Sequence, residues 1–570
     1  MKPVLKWLFL SLCCTTPALN SLAADAAPDP IFKAMQDELK RSMTLQLEEL
    51  SPPYFIQYSV DDTRIERVTA SYGALTLSGP SSARTLQAQL RVGSMELDNA
   101  NFVGGRGFGR RGSTELPLDN DYLALRQAIW RATDGLYKSA VETLTQKRAY
   151  LKDHTIEDRP PDFSKATPTT AILETRTLSF DRKKWEDYVR QISAEFAKYA
   201  HIQDSEVRLI AGAENRYLVN SEGTRLRYGT VEVSLRIGAE TLAPDGERLT
   251  DEQEYVRHST DQLPAIKTVL ADIQRLADRL TAAAKAPVLN DYTGPVLIDG
   301  MASPLLFRQL LARGILGVPD PVGSSRRTTQ GPEDLEKRLG KRILPTAFSV
   351  YDDPRRNDFN GTPLAGHYLY DDEGLPAQRV EIVAGGKLQG MLMSRTPTKR
   401  FAQSNAHGRR GSDQPRAALG SLFIESSEGK NPADLKKALL KAADDEGLEY
   451  GIRIEGLQSR DASDLPPARS RRVGAGRGVG DPVRVFKVYV ADGREEMVRG
   501  CEFRGLDERS MRRILAAGNT PVIDNRVISS TPSSSVVAPA VLFEEIELTK
   551  IERESERKPL LPSPQSRAAK

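Results

Sequence analysis

Residues 86–92 read LQAQLRV, an alternation that puts Leu86, Ala88, Leu90 and Val92 on one face with polar or charged side chains between them. A period of two marks a strand with one buried face. Upstream, Tyr54 to Val60 and Ala70 to Leu77 are short runs with partial alternation, so the region is predicted as an antiparallel meander. Further toward the amino terminus Phe32, Met35, Leu39 and Met43 recur at helical spacing, and that helix must stop before Pro52-Pro53.

Downstream of the meander, GGRGFGRRG at Gly104 to Gly112 breaks the pattern and is expected to be a mobile loop. A long amphipathic helix should begin near Asp119 to Asp121, with Leu123, Trp130, Tyr137 and Leu144, seven apart, as its buried stripe. A second helix is expected from Asp181 to about Tyr199. Closely spaced strands follow at Val207 to Ile210, Tyr217 to Asn220, Thr224 to Tyr228 and Val231 to Ile237, with a turn at Asn220-Ser-Glu-Gly223. Ile266, Val269, Ile273, Leu276 and Leu280 mark one more helix, ending near Ala286.

After that point the apolar strand Pro295 to Ile298 and a short helix around Leu305 to Ala312 open a region rich in strands and turns. Its clearest helix is Pro432 to Asp445, with Asn431 as cap, Pro432 in the first turn and Gly447 at the end. Strands around Val483 to Val490 and Val541 to Leu548 come later. The prediction is an α+β chain. An amino-terminal domain of mixed sheet and helices occupies 30–288, and a carboxy-terminal domain of mostly antiparallel strands occupies 290–552. A charged, proline-containing tail, 553–570, is expected to be disordered.

The first residues carry Lys2 and Lys6, an apolar run from Trp7 to Cys14 and small residues around Ala23 to Ala27. That order describes a secretory signal over 1–26, so the chain is expected to be exported to the periplasm or envelope of a bacterium. The run is shorter than the roughly 20 residues a bilayer requires, and no later run supplies a transmembrane segment. Cleavage would leave Cys501 as the one cysteine, with no intrachain disulfide possible. The 80 basic and 77 acidic residues leave a formal net charge of +3, no global field for nucleic acid. Arginine-glycine segments at Gly105 to Gly112 and Arg469 to Gly480 lack aromatic platforms beyond Phe108, and read as flexible loops.

Nucleophile and phosphate chemistry find little support. No GxSxG elbow occurs, and Gly385-Gly386-Lys387 lacks the leading glycine and the hydroxyl of a phosphate loop. The five histidines stand at 154, 201, 258, 367 and 407, none a helical turn from another as a zinc helix requires. A site built from His367, His407 and a carboxylate stays open beside the plainer reading of ordinary histidines.

Gly294-Pro-Val-Leu-Ile-Asp-Gly300, Leu344 to Pro354, Gly366 to Gln378 (GHYLYDDEGLPAQ), Met393-Ser-Arg-Thr-Pro397 and Ser404-Asn-Ala-His-Gly-Arg409 occur in one order. In these motifs the chain resembles the TldD/PmbA family, and Asn215 to Thr224 looks like the family's amino-terminal domain. The resemblance implies a two-subunit metal-dependent peptidase, in which a TldD-type subunit carries a helical HExxxH and a later cysteine for zinc. A TldE/PmbA-type partner lacks them. Where the resemblance puts that helix, this chain reads Arg308-Gln309-Leu-Leu-Ala-Arg313. A guanidinium stays protonated and offers zinc no lone pair, and a glutamine cannot take a proton from water near neutral pH. Ser529 to Ser535, near the expected cysteine ligand, has serines, and Cys501 reads as a small buried hydrophobe.

The resemblance therefore implies a chain without catalytic residues or a zinc site of its own, working with a zinc-bearing TldD-like subunit or as a dimer with itself, on peptides. Rival readings are an active peptidase with rearranged metal ligands and a non-enzymatic, peptide-binding envelope scaffold. Asp371, Asp372 and Glu373 precede Gly374 at a turn and read either as a solvated acidic turn or as the charged rim of a peptide groove or interface. Arg395, Asn405, His407 and Arg409 read either as structural or as a binding set, with arginine supplying bidentate donors on exposed turns.

Overall fold

The computed structural model describes residues 29–46, 51–103, 113–324, 335–410, 414–458, 479–528 and 531–551, together with Pro564. The signal segment, the Gly104 to Gly112 loop, the segment from Arg469 to Gly478, Ser529, Ser530 and the tail from 553, apart from Pro564, fall outside them. Within them the fold is α+β.

One large sheet is built from β1 (Pro53–Ser71), β2 (Ala74–Val92), β3 (Ser113–Glu115), β4 (Thr170–Ile172), β5 (Asp204–Asn220), β6 (Arg225–Leu242) and β7 (Arg248–Arg257). Its order is β3-β2-β1-β5-β6-β4, with β7 also on β6. The meander of short strands is corrected here: β1 and β2 are 19 residues each and form one hairpin through Tyr72 and Gly73. The middle of β1, DDTRIER at 61–67, is polar on nearly every residue and hides its strand character from any search for alternation. The ladder nevertheless runs unbroken from Asp61↔Thr85 to Arg67↔Gly79. The same merging joins Val207 to Ile210 with Tyr217 to Asn220 in β5, and Thr224 to Tyr228 with Val231 to Ile237 in β6.

Register puts Tyr58 opposite Val219 and Val68 opposite Leu209, so these side chains share one face of the sheet. At one end of that face α1 (Pro30–Ser42) and α2 (Tyr122–Asp153) cover Ile56, Tyr58, Val60, Tyr217 and Val219. At the other end α3 (Arg182–Ala194) and α4 (Ile266–Lys285) cover Val68, Ala70, Leu209, Leu235 and Ile237. The expected stripe on α2 is half right. Tyr137 and Leu144 are buried, but Leu123 is 70% and Trp130 36% exposed. The buried line is Leu125, Ile129, Thr133, Tyr137, Ala140 and Leu144. A straight helix drifts against a strict seven-residue repeat, and spacings of four and three follow the face instead.

The carboxy-terminal part stacks two sheets around a short helix. In the first, β8 (Tyr292–Ile298) lies between Tyr450–Leu457, parallel to it, and Val541–Lys550, antiparallel to it. The second has the order Lys387–Leu388, Val380–Ala384, Phe348–Asp352, Ser421–Ser426, Thr531–Ala538 and Val522–Ile528. Between them sits α5 (Ala302–Leu310), buried from Ala302 to Phe307 as a helix apolar on all sides must be. It starts and stops earlier than expected, and Arg313 lies in the turn beyond it. The outer face of the first sheet is covered by α6 (Pro432–Asp445), where the Asn431 side chain accepts from Asp434 N at 2.9 Å. Cys501 is fully buried in the core between the sheets.

Candidate functional site

At the carboxyl end of α5 the chain leaves the apolar core, and Arg308 is the first polar side chain there. Its Nε donates to Asp524 Oδ2 at 2.5 Å, Nη1 to Ser534 Oγ at 2.7 Å and Nη2 to the Asp524 carbonyl at 3.0 Å. Arg308 is 13% and Asp524 8% exposed, so this pair is largely shut off from water. Gln309 is also engaged: its Nε2 donates to the Gln458 carbonyl at 3.1 Å, and its Oε1 accepts from Gly480 N at 2.6 Å. Arg313 is exposed. Zinc does not fit these three side chains, since two are cations and the third is an amide held by backbone bonds. Among the described residues, no group of three or more His, Cys, Asp or Glu is placed to hold a metal ion.

Asp371, Asp372 and Glu373 are all buried, at 1%, 2% and 2% exposure, which corrects both the solvated turn and the open rim. Gly374 (φ +88) makes the turn possible and packs on Thr224 and Leu218 of the large sheet. Asp371 accepts from the backbone N–H groups of Glu373, Leu375 and Gly408, at 3.1, 2.9 and 3.0 Å. Asp372 is bonded to Arg216 of β5, to Arg409 Nε at 3.3 Å and to Arg410 N at 2.7 Å. Glu373 accepts from Arg395 N at 2.7 Å.

These three carboxyls titrate apart. Burial alone would raise Asp372, but Arg216, Arg409 and Arg410 outweigh it and hold the group down at about 2. Burial and then the neighbouring Glu373 push Asp371 up to about 8. Burial pushes Glu373 to about 7 despite Arg395 and Arg91. Two carboxyls this close in a dry site hold on to a proton that an isolated one would lose.

Arg395 is wholly buried, which corrects its expected place on an exposed turn. Its Nη1 and Nη2 each reach Glu222 at 2.7 Å, and Nε and Nη2 donate to the Ser164 carbonyl at 2.9 and 2.6 Å. The guanidinium also lies 3.9 Å from the Phe163 ring centre and 5.0 Å from that of Phe55. Asn405 spends its amide within its own loop, on Met393 N at 2.7 Å and Met391 O at 2.8 Å. His407 is fully buried, with Nδ1 2.8 Å from the Asn405 carbonyl and Nε2 3.2 Å from Asp352 Oδ1. Arg409 keeps 11% exposure and stacks its guanidinium 4.1 Å above Tyr368. Of the seven candidate residues, Asp372 and Arg395 bond directly across a seam between the amino-terminal and carboxy-terminal parts, whereas the bonds of Asn405 and His407 stay within the carboxy-terminal part.

Residues 295–456 match the model of the PmbA/TldA metallopeptidase C-terminal domain. The chain carries a TldD/PmbA-family carboxy-terminal domain. A metalloprotease of Synechocystis sp. is 28% identical over 198 residues, covering 34% of this chain and 39% of that protein. A metalloprotease of Archaeoglobus fulgidus is 29% identical over 98 residues, covering 17% of this chain and 22% of its own. The chain therefore spans well under half the length of these curated relatives. The fold extends further than the sequence match. TldE from Thermococcus kodakarensis superposes with a TM-score of 0.57 at 14% identity, covering 90% of this chain and 100% of that one. A protein described as a modulator of a DNA gyrase, from Thermotoga maritima, gives 0.58 at 14% identity, covering 87% and 96%.

Motifs that are far apart in this chain meet at the seam. Glu222 belongs to the Asn215 to Thr224 stretch and Arg395 to Met393 to Pro397, and they form one ion pair. Sequence reading singled out neither Glu222 nor Arg216, Asp352, Asp524 and Ser534. Glu222 lay inside a quoted motif, whereas nothing local marks an aspartate such as Asp524 as the partner of an arginine 216 residues away. His367 bonds through Nδ1 to the Pro354 carbonyl at 2.8 Å, and the site assembled from His367, His407 and a carboxylate is not formed among the described residues.

Proposed function

We propose that this chain is an exported, catalytically silent, TldE/PmbA-like subunit. In this reading it completes a peptide-binding chamber with a zinc-bearing TldD-like subunit or with a second copy of itself. The observation that carries the reading is the engagement of Arg308 with Asp524 and Ser534. Where the family helix presents its first imidazole, this chain has a cation already neutralised by a carboxylate. The bonds of Gln309 to Gln458 and Gly480 support it, because the residue at the position of the general base closes a loop instead.

The fold match to TldE over the whole of that structure also supports the partner reading. Export rests on the charge, apolar core and small-residue order of the first 27 residues. The test is peptidase activity of the pure mature chain, alone and mixed with a zinc-competent relative from the same cell. The expected result is no hydrolysis alone, and hydrolysis by the mixture that exceeds the relative's own. Hydrolysis by the chain alone, abolished by a chelator, would overturn the reading in favour of rearranged metal ligands.

A further inference from the structure

Asn360 and Gly361 form the tip of a hairpin between Asp358–Phe359 and Thr362–Pro363, with φ of +51° and +77°. Positive φ at both positions of a two-residue loop is the type I′ turn, which asparagine followed by glycine adopts with least strain. The ladder behind the tip has two rungs, Asp358↔Pro363 and Phe359↔Thr362. Below them the hairpin is anchored: Phe359 packs on Phe423 with ring centres 6.0 Å apart, Pro363 is buried, and its strand lies against β7 of the large sheet.

The tip itself is open. Asn360 and Gly361 are both exposed, the Asn360 side chain makes no hydrogen bond among the described residues, and a Cβ placed on Gly361 would meet no atom within 4 Å. Gly361 N lies outside the ladder and donates one long bond, to Asp358 Oδ1 at 3.4 Å. Other asparagines are tied down. Asn220 Oδ1 accepts from Glu222 N at 3.1 Å and Thr224 N at 3.0 Å, and Asn405 is bonded through both atoms of its amide. Asn-Gly occurs once in the sequence, at this tip.

We propose that Asn360 is a site of spontaneous deamidation, and that the reaction loosens this hairpin where it touches the large sheet. The Gly361 nitrogen gives up its proton to solvent and attacks Asn360 Cγ, forming the N–Cγ bond of a five-membered imide. The Cγ–Nδ2 bond breaks, and ammonia leaves with a proton taken from water. Water then opens the imide at either carbonyl to give aspartate or isoaspartate, so one water enters and one ammonia departs. Glycine permits the attack because no side chain shields its nitrogen. The short ladder lets the tip open locally to reach the ring geometry.

Isoaspartate routes the main chain through the former side chain and lengthens the backbone by one methylene. A two-residue loop has no slack for that, since turn type and loop length fix a hairpin's register. Either product also sets a new carboxylate two residues from Asp358. The proposal rests on the turn alone and stands or falls separately from catalytic silence.

The test keeps the full chain folded at mildly alkaline and mildly acid pH and follows each asparagine by peptide mapping with mass spectrometry. The Asn360 peptide should convert to the acid faster than the Asn220 and Asn405 peptides, more so at alkaline pH, and should yield both isoaspartate and aspartate. Hydrogen exchange at the amides of Phe359 and Thr362 should rise in the aged wild type. It should rise much less in Asn360→Asp, which carries the charge without the extra methylene. Conversion of Asn360 no faster than that of Asn220 and Asn405 would overturn the proposal. Equal exchange in fresh and aged chains, or equal loosening in Asn360→Asp, would overturn its structural consequence.

Discussion

Arg395 and Glu222 stand 173 residues apart and meet through two hydrogen bonds of 2.7 Å. The arginine is fully buried and the glutamate 20% exposed, so the pair is shielded from solvent on one side and from screening by salt. Their bond closes the large sheet onto the carboxy-terminal part.

Arg395→Ala should therefore unfold the junction. Breaking a buried pair by removing one partner costs about 3–5 kcal/mol, because the other charge and here the Ser164 carbonyl lose their donors. Chemical denaturation read by fluorescence checks this. An exposed pair such as Arg504 with Glu547 sets the contrast, since surface ion pairs contribute little. A melting temperature unchanged by Arg395→Ala would mean the seam is open in solution, and the peptide-binding reading of these residues would regain its premise.

The carboxyls at the seam give stability a pH dependence of two signs. Asp372 is held at about 2 against an ordinary value of 3.8, so its contribution is present above about 3.8 and lost as pH falls toward 2. Glu373 is raised from 4.5 to about 7, so its contribution is full below about 4.5 and declines as pH rises to 7. Urea midpoints should fall between pH 5 and 7, and Glu373→Gln, which stays neutral and can still accept from Arg395 N, should flatten that slope. An identical slope in the variant would show that Glu373 is already ionised in the folded chain.

Much of the fold was readable because its elements carry local punctuation. The helix at Pro432–Asp445 has its cap, its proline and its glycine in place, and the turn at Asn220 to Gly223 closes with Gly223 N on Asn220 O. What was not readable is set by partners distant in the chain. The polar middle of β1 is a strand because β2 and β5 supply both ladders, not because of its side chains. Asp371, Asp372 and Glu373 look like a solvated turn until Arg216, Arg395, Arg409 and Arg410 arrive from elsewhere. Three adjacent acids say nothing by themselves about whether they are buried.

Arg308→Ala should destabilise the chain more modestly than the loss of Arg395. Asp524 would be left buried, but Arg526 Nε lies 3.5 Å from the same carboxylate oxygen and can take over part of the pairing. The expected cost is about 1–3 kcal/mol, that of leaving buried hydrogen-bonding groups partly unsatisfied. Denaturant midpoints of Arg308→Ala and of the double variant Arg308→Ala with Asp524→Ala decide it. The double variant should recover part of the loss, and no recovery would argue against the pair.

β8 lies in the middle of its seven-stranded sheet with ladders on both sides. Its amides from Val296 to Ile298 should exchange with deuterium only on global unfolding, whereas those of the edge strand Glu495–Val498 should exchange through local opening. Equal protection of the two strands would contradict this sheet order.

The central claim, that the chain has lost its own zinc site, is tested most directly by the metal content of the purified mature protein. Arg308 holds Asp524 where an imidazole would be needed, and structural or catalytic zinc is held by three or four deprotonated ligands. Elemental analysis after mild purification should find zinc well below one ion per chain. About one tightly held zinc per chain would contradict the account.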